Sequence, residues 1–435
     1  RRDSTMDNRD RAEAFLFDVG DKIGEQQAHL QFYNTTAYNS KGNWKDEVLE
    51  RLTDGSSRPE YCTWFKNRSA DTPGVVRQLQ AALEDAVTRA LTSPVLEQLS
   101  AWSELPRSSQ GENCPFKRPD LSADLDKSAE GLAVSFASVL GSSTARSPQC
   151  NIRARLTRDL LVAISQPGVP EDLDICNEVQ RGCHVGYGRT IRATGLWPKD
   201  RGPKHSGFGL SYEDGQVWKN YRSADDTADL VQATLDDEVA KGHMAKLPVA
   251  PEGAVITKLA CVPKPNGKVR LIDDLRRSGV NEKIHCEETI CLPGLASAAF
   301  LVQQQKKRSP EEELVWIEAD IASAFRHIPV HVDDQKLLLN HVGQWYFRHL
   351  RLPFGLRSSP LLWCRYFACV HRILKKLVPS DTDIGSGMIY VDDLGWITTR
   401  RESLRMLLRI LLVYRALGLD VAYDKLRITS TPHNL

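Results

Sequence analysis

Met388-Ile389-Tyr390-Val391-Asp392-Asp393-Leu394-Gly395-Trp396-Ile397 sets two β-forming arms around a pair of adjacent aspartates. Aromatic and β-branched residues favour strands, and Asp favours tight turns, so the stretch reads as a hairpin whose turn exposes both carboxylates. Neighbouring like charges are costly unless a cation or water relieves them. Taken alone, a solvated surface turn explains the pair as well as a functional site does. Leu314-Val315-Trp316-Ile317-Glu318-Ala319-Asp320-Ile321 changes that balance, because it is an apolar strand with an aspartate near its end. If the two strands lie side by side, Asp320, Asp392 and Asp393 converge at one sheet edge. Such a set of hard oxygen ligands suits Mg²⁺. Two ions roughly 3.5–4 Å apart can activate a hydroxyl and stabilise the leaving oxygen of a phosphoryl transfer.

Lys258–Arg277 holds six basic residues (258, 264, 268, 270, 276, 277) against two acidic ones (273, 274). Val255–Val262 and Lys268–Ile272 read as strands joined by a Pro265-Asn266-Gly267 turn. Lys264 and Arg270 flank that turn, where a hairpin can aim both at a triphosphate; a solvated charged hairpin is the competing explanation. Lys336–His349 reads as a further hairpin. Ala224–Lys241, Ser359–Leu377 and Ser403–Leu417 read as helices. Strands and helices alternate without a βαβ rhythm, which predicts an α+β layout, a sheet with helices packed on one side.

The 435 residues are too many for one typical domain, and 41% hydrophobic with 26% charged side chains is enough to build a core. A net charge of +1 points to no partner for the chain as a whole, so any nucleic-acid surface must be local. Residues 1–102 read as a mostly helical region of unknown role, with Val76, Leu79, Leu83, Val87 and Leu91 at helical spacing. Residues 103–204 read as a linker and irregular accessory segment, since Ser103–Pro148 is rich in Ser, Pro and Gly. Residues 205–435 carry the chemistry. Cys176, Cys183 and His184 match no zinc spacing and read as buried or idle groups. Irregular cysteines without a CxxC pair fit a reducing compartment, cytoplasmic or nuclear. No apolar run approaches the roughly 18 residues of a membrane span, which predicts no membrane partner. The first residues are polar, unlike a signal peptide. The chain begins with Arg rather than Met, as a piece of a longer protein would.

Four segments, in order, resemble the reverse transcriptases of retroviruses and retrotransposons. Val262–Arg276 is similar to their fingers hairpin. Asp320-Ile321-Ala322-Ser323-Ala324-Phe325-Arg326-His327-Ile328-Pro329-Val330 is similar to their first palm motif. Leu352-Pro353-Phe354-Gly355-Leu356-Arg357-Ser358-Ser359-Pro360 is similar to the loop supporting template and nascent base pair, and Tyr390-Val391-Asp392-Asp393 to the YxDD box. Ala416-Leu417-Gly418-Leu419 with Lys425 resembles the next motif. The wording is nearest to long-terminal-repeat and tyrosine-recombinase retrotransposons.

That resemblance, over about residues 225–435, implies a right-hand fingers and palm with an antiparallel palm sheet behind a largely helical or irregular N-terminal region. It implies two Mg²⁺ held by Asp320, Asp392 and Asp393 near the Ile321 backbone. Lys264 and Arg270 would hold a deoxynucleoside triphosphate, and Phe325 would act as a gate against the 2′-hydroxyl. Phe354 and Gly355 would lie under the nascent pair, Tyr390 at the primer end, and Lys425 would protonate the departing pyrophosphate. The partners implied are an RNA or DNA template with its primer. The chain stops where the family places its primer-grip hairpin, so thumb and ribonuclease H segments are expected downstream. A palm without them should hold primer and template poorly. A domesticated or catalytically weak nucleic-acid binder and an RNA-dependent RNA polymerase are the alternative readings.

Overall fold

The computed structural model describes residues 72–165, 171–200, 219–263, 269–379 and 385–430. Its first half is helical: α1 (Thr72–Ala90), α2 (Ser93–Ser103), α3 (Arg107–Gln110), α4 (Pro119–Leu140), α5 (Ala154–Ile164) and α6 (Leu173–Arg181). The periodicity expected of Val75–Leu99 yields α1 and part of α2, and Leu79, Leu83 and Val87, one turn apart, are fully buried.

The loose linker expected over Ser103–Pro148 is corrected by α4, which buries Leu121, Leu125, Leu132, Phe136 and Leu140 in the core. Its serines fit inside a helix because they return their hydroxyls to the preceding turn. Ser128 Oγ donates to Asp124 O at 2.9 Å and Ser135 Oγ to Gly131 O at 3.0 Å. Pro119 sits in the first turn, where a missing N–H costs nothing, and Gly141 closes the helix at φ 60°.

The second half contains α7 (Arg222–Asp225), α8 (Ala228–Ala240), β1 (Met244–Leu247), β2 (Ile256–Pro263), β3 (Val269–Asp274), α9 (Leu295–Arg308), β4 (Leu314–Asp320), β5 (Leu339–Val342), β6 (Trp345–His349), α10 (Ser359–Leu377), β7 (Ser386–Tyr390), β8 (Asp393–Thr399), α11 (Ser403–Ala416) and β9 (Arg427–Ser430). The single helix expected over Ala224–Lys241 is broken into α7 and α8 around Asp226 and Thr227.

Two sheets form where one was expected. The first has the order β1-β6-β5-β2-β3, with β2 and β5 parallel. The second, β7-β8-β4-β9, is antiparallel throughout. The split arises because the β5–β6 hairpin pairs with β1 and β2 instead of extending the carboxylate-bearing sheet. Against the second sheet lie α10 and α11, and α1 and α4 pack on α11 from another side.

One hydrophobic core therefore runs from Leu79 in α1 to Ile428 in β9. The edge of β9 is covered by a side chain acting as a strand. The Gln110 amide accepts from Ile428 N at 2.8 Å and donates to Ile428 O at 2.8 Å. Among the described residues no helix is long and apolar enough to cross a membrane. Cys176 and Cys183 are buried, and Cys183 pairs through its backbone with Val330.

Candidate active site

The carboxylates meet because of strand register. β4 pairs with β8 so that Asp320 faces Asp393, and β7 pairs with β8 so that Tyr390 faces Asp393. Only Val391 and Asp392 remain to turn the hairpin. Two-residue hairpin loops need a positive φ at their first position, and Val391 sits at φ 56°. That conformation strains a β-branched residue by about 1–3 kcal/mol. Trp363 Nε1 donates to Val391 O at 2.7 Å and Ile321 N to Asp392 O at 3.0 Å, holding the turn in place.

In this arrangement one carboxylate oxygen from each of Asp320, Asp392 and Asp393 lies within 4.8 Å of the others. Asp320 is buried, Asp392 half-buried and Asp393 exposed. Burial pushes all three carboxyls above the usual carboxylate range, and each is pushed further by a neighbour: Asp320 by Asp393, Asp392 by Asp320, Asp393 by Asp392. Lys425 Nζ donates to Asp320 Oδ2 at 2.5 Å. Burial pulls the Lys425 ammonium down, but the Asp320 hydrogen bond and the three negative charges hold it above its usual value. One ammonium does not neutralise three carboxylates. The site is short of positive charge and offers only hard oxygen donors, which is the environment a divalent cation satisfies.

The other expected residues surround this cluster unevenly. Arg270 is exposed on β3 opposite Val262, and its charge reaches Asp392, partly offsetting the upward push there. Lys264 lies outside the described residues. Ile321 is buried beside Asp320, with its N–H committed to Asp392 O. The rings of Phe325 and Phe354 sit 5.2 Å apart at 44°. Gly355, at φ 96°, lets the loop press on β3: a Cβ there would meet Asp273 O at 2.4 Å, so no larger residue fits. Tyr390 is 51% exposed at the end of β7.

Sequence reasoning missed a buried polar chain directly behind Phe325. Arg326 Nε lies 2.9 Å from Glu238 Oε2, and Arg326 NH1 donates to His349 Nδ1 at 2.9 Å. The proton is thereby assigned to His349 Nε2, which bonds Asp273 Oδ1 at 3.1 Å while Asn340 donates to the same oxygen at 2.8 Å. Burial opposes ionisation of Glu238 and Asp273. His243 and Arg326 nevertheless bring Glu238 down to about 2, and His349 with Arg326 holds Asp273 below the ordinary carboxylate range. This chain ties β3, which carries Arg270, to the segment carrying Phe325. Arg326, directly after Phe325, was the available signal, but its partners depend on which strands meet.

Residues 262–435 match the family model described as reverse transcriptase (RNA-dependent DNA polymerase). Among solved structures, the chain is similar to a foamy viral protease-reverse transcriptase, dRH form, in complex with double-stranded DNA. The identity is 20% and the TM-score 0.39, over 51% of this chain and 34% of that one. It is also similar to the foamy viral protease-reverse transcriptase with dsDNA, at 21% identity and TM-score 0.40, over 54% of this chain and 44% of that one. The same protein with an RNA/DNA hybrid aligns at 21% identity and TM-score 0.35, over 50% and 26% of the two chains. The chain thus spans less than half the length of these proteins. No curated protein matches it.

Proposed function

We propose, from the reverse transcriptase domain that residues 262–435 carry, that this chain belongs to a retrotransposon enzyme copying an RNA template into DNA. The single observation supporting catalysis is the meeting of Asp320, Asp392 and Asp393 with Lys425 against Asp320. The three aspartates are the residues to hold Mg²⁺, with the Ile321 backbone beside them. Two such ions, when bound, supply activation of the primer 3′-hydroxyl and charge neutralisation on the pyrophosphate.

The chain's own groups do the rest. Arg270, with Lys264, binds the triphosphate of a deoxynucleotide, for which a guanidinium gives paired hydrogen bonds. Phe325, braced by Phe354, fills the space a 2′-hydroxyl would need. Phe354 and Gly355 underlie the nascent base pair, and Tyr390 meets the primer end. Lys425, charged and adjacent, is the proton donor for the leaving pyrophosphate.

Primer extension on an RNA template with Mg²⁺ tests the assignment. Joined to a polymerase thumb, the wild-type chain extends with dNTPs and Asp392→Asn does not; equal extension by both proteins ends it. Phe325→Ala should raise rNTP use relative to dNTP use by about tenfold or more, as expected when a packed group is removed from a specificity pocket. Equal preference for rNTP and dNTP in the wild type would instead favour an RNA polymerase.

A further inference from the structure

The proposed function uses nothing from residues 181–199, which lie outside the segment matching the reverse transcriptase family. This stretch, Arg181-Gly-Cys-His-Val-Gly-Tyr-Gly-Arg-Thr-Ile-Arg-Ala-Thr-Gly-Leu-Trp-Pro-Lys199, contains no acidic residue in a chain whose charges otherwise balance. It carries Arg181, Arg189, Arg192 and Lys199, all exposed. Arg181, Arg189 and Arg192 form no ion pair with any described residue, unlike many arginines of the helical half. A local excess of unpaired cations is an electrostatic footprint for a polyanion.

The stretch is a built strap, fixed first to the segment between β4 and β5 and then along the connection between β3 and α9. Cys183 N donates to Pro329 O and His331 N returns a bond to Cys183 O. Farther along, His285 N bonds Gly186 O, Ile191 N bonds His285 O, Glu287 N bonds Ile191 O and Thr289 N bonds Pro198 O. At Gly182, φ 91°, a Cβ would meet the His331 backbone at 2.7 Å, so the chain passes too close for a side chain. The buried Glu288 carboxylate gathers Thr194 N at 2.8 Å, Thr194 Oγ1 at 2.9 Å and Gly195 N at 2.7 Å, closing the far loop. Nearby acids are occupied: Glu287 accepts from Ala193 N, and Asp200 pairs with Arg357 at 2.8 Å. Tyr187 adds a partly exposed ring with Lys283 bonded to its hydroxyl at 3.1 Å.

The strap also touches the Leu352–Pro360 loop, which carries Phe354 and Gly355. Ser358 Oγ donates to Val185 O at 2.7 Å, and Arg357 reaches both Asp200 and Ile284 O. Asn281, on the segment beneath the strap, donates to Gly355 O at 2.8 Å. β3 and the Leu352–Pro360 loop border the position proposed for the incoming nucleotide and its template base. A template strand continuing past Gly355 toward Asn281 would pass over segment 281–289, against which the strap is bonded.

We infer that the Arg181–Lys199 strap grips the phosphodiester backbone of the single-stranded template ahead of the site, through Arg189 and Arg192 with Tyr187 as a stacking platform. This rests on the polymerase reading above. Cations on a single strand supply affinity that weakens with salt, by about 0.7 in log–log slope per phosphate contact.

The test uses the full chain and fluorescence anisotropy with two primer–template duplexes, one blunt and one with a long single-stranded template overhang. Wild type should bind the overhang substrate more tightly. Arg189→Gln with Arg192→Gln should remove that preference, weakening overhang binding by about tenfold. The salt slope should fall by about 1.4, two contacts' worth, with blunt-duplex affinity unchanged. Arg189→Lys with Arg192→Lys, keeping the charges, should restore most of it. Equal wild-type affinity for the two substrates, or equal loss on both in the Gln variant, overturns the strap assignment and leaves the palm reading intact. Absence of binding to either substrate together with absence of Asp392-dependent extension overturns both.

Discussion

Asp392 occupies the second position of a two-residue turn, with its carboxyl pushed up by burial and by Asp320. A folded-state pKa above the unfolded value contributes stability at acid pH, below about 3.9, and loses it as pH rises through the folded value. At neutral pH the ionised trio therefore opposes folding until a cation joins it. Three outcomes follow for Asp392→Asn, which keeps the Ile321 N to Asp392 backbone bond. Without divalent ions at neutral pH the variant melts above wild type. Near pH 4 the difference disappears. Adding Mg²⁺ to a hundredfold excess over its dissociation constant stabilises wild type by about 2.7 kcal/mol and the variant far less. Differential scanning calorimetry across pH, with and without Mg²⁺, reads all three. A variant that melts lower than wild type in metal-free neutral buffer would contradict this electrostatic account.

Between elements, the decisive contact joins α6 to α10. Asp172 accepts from Ile175 N at 3.3 Å as the cap of α6, and from Arg365 Nε at 2.6 Å and NH2 at 2.8 Å, with both side chains almost fully buried. Burial opposes the charge on Asp172, and Arg365 outweighs it, holding the carboxyl low. Removing one member of a buried pair leaves the other uncompensated, so Asp172→Ala should cost about 3–5 kcal/mol in urea unfolding. Asp172→Leu with Arg365→Met should cost much less; a similar loss in both would show that the charge pairing is not what matters.

The same contact shows what was legible in the sequence. β4 and the β7–β8 hairpin could be read because their residues are dense in β-branched and aromatic side chains around fixed aspartates, and those aspartates carried the site with them. The two-sheet split and the Arg326–His349–Asp273 chain could not, because they depend on which strands become neighbours. α4 was hidden by serines whose helical role is visible only once their hydroxyls bond the preceding turn. The Asp172–Arg365 pair has no signal in the sequence, because it depends on α10 packing against α6.

At the scale of the whole molecule, the helical half is part of the same body as the carboxylate sheet. Met406, Leu407, Leu408, Ile410, Leu411, Leu412, Val413 and Tyr414 of α11 are all fully buried, so this helix is enclosed on every side. The sheet strands β4 and β8 cover one side, and α1 and α4 cover another. Polar clamps fix that cover: Glu84 of α1 takes Arg409 at 2.7 Å and Arg405 at 2.9 Å, and Asp126 of α4 takes Arg415. Farther round, Arg153 NH1 donates to Ala416 O at 2.8 Å, and Gly418 passes so near Asn151 that a Cβ would meet its carbonyl at 2.0 Å. Stripping these helices away exposes several large apolar side chains, each worth about 1.5–3 kcal/mol of burial. A fragment of residues 219–435, which keeps every proposed catalytic residue, should therefore lose cooperative unfolding, bind a hydrophobic dye and self-associate on size exclusion, whereas the full chain should not. A fragment that stays monomeric, with a sharp transition and intact near-UV dichroism, would mean the carboxylate-bearing half folds alone and the helices are an appendage. The shared core from Leu79 to Ile428 argues for the opposite outcome.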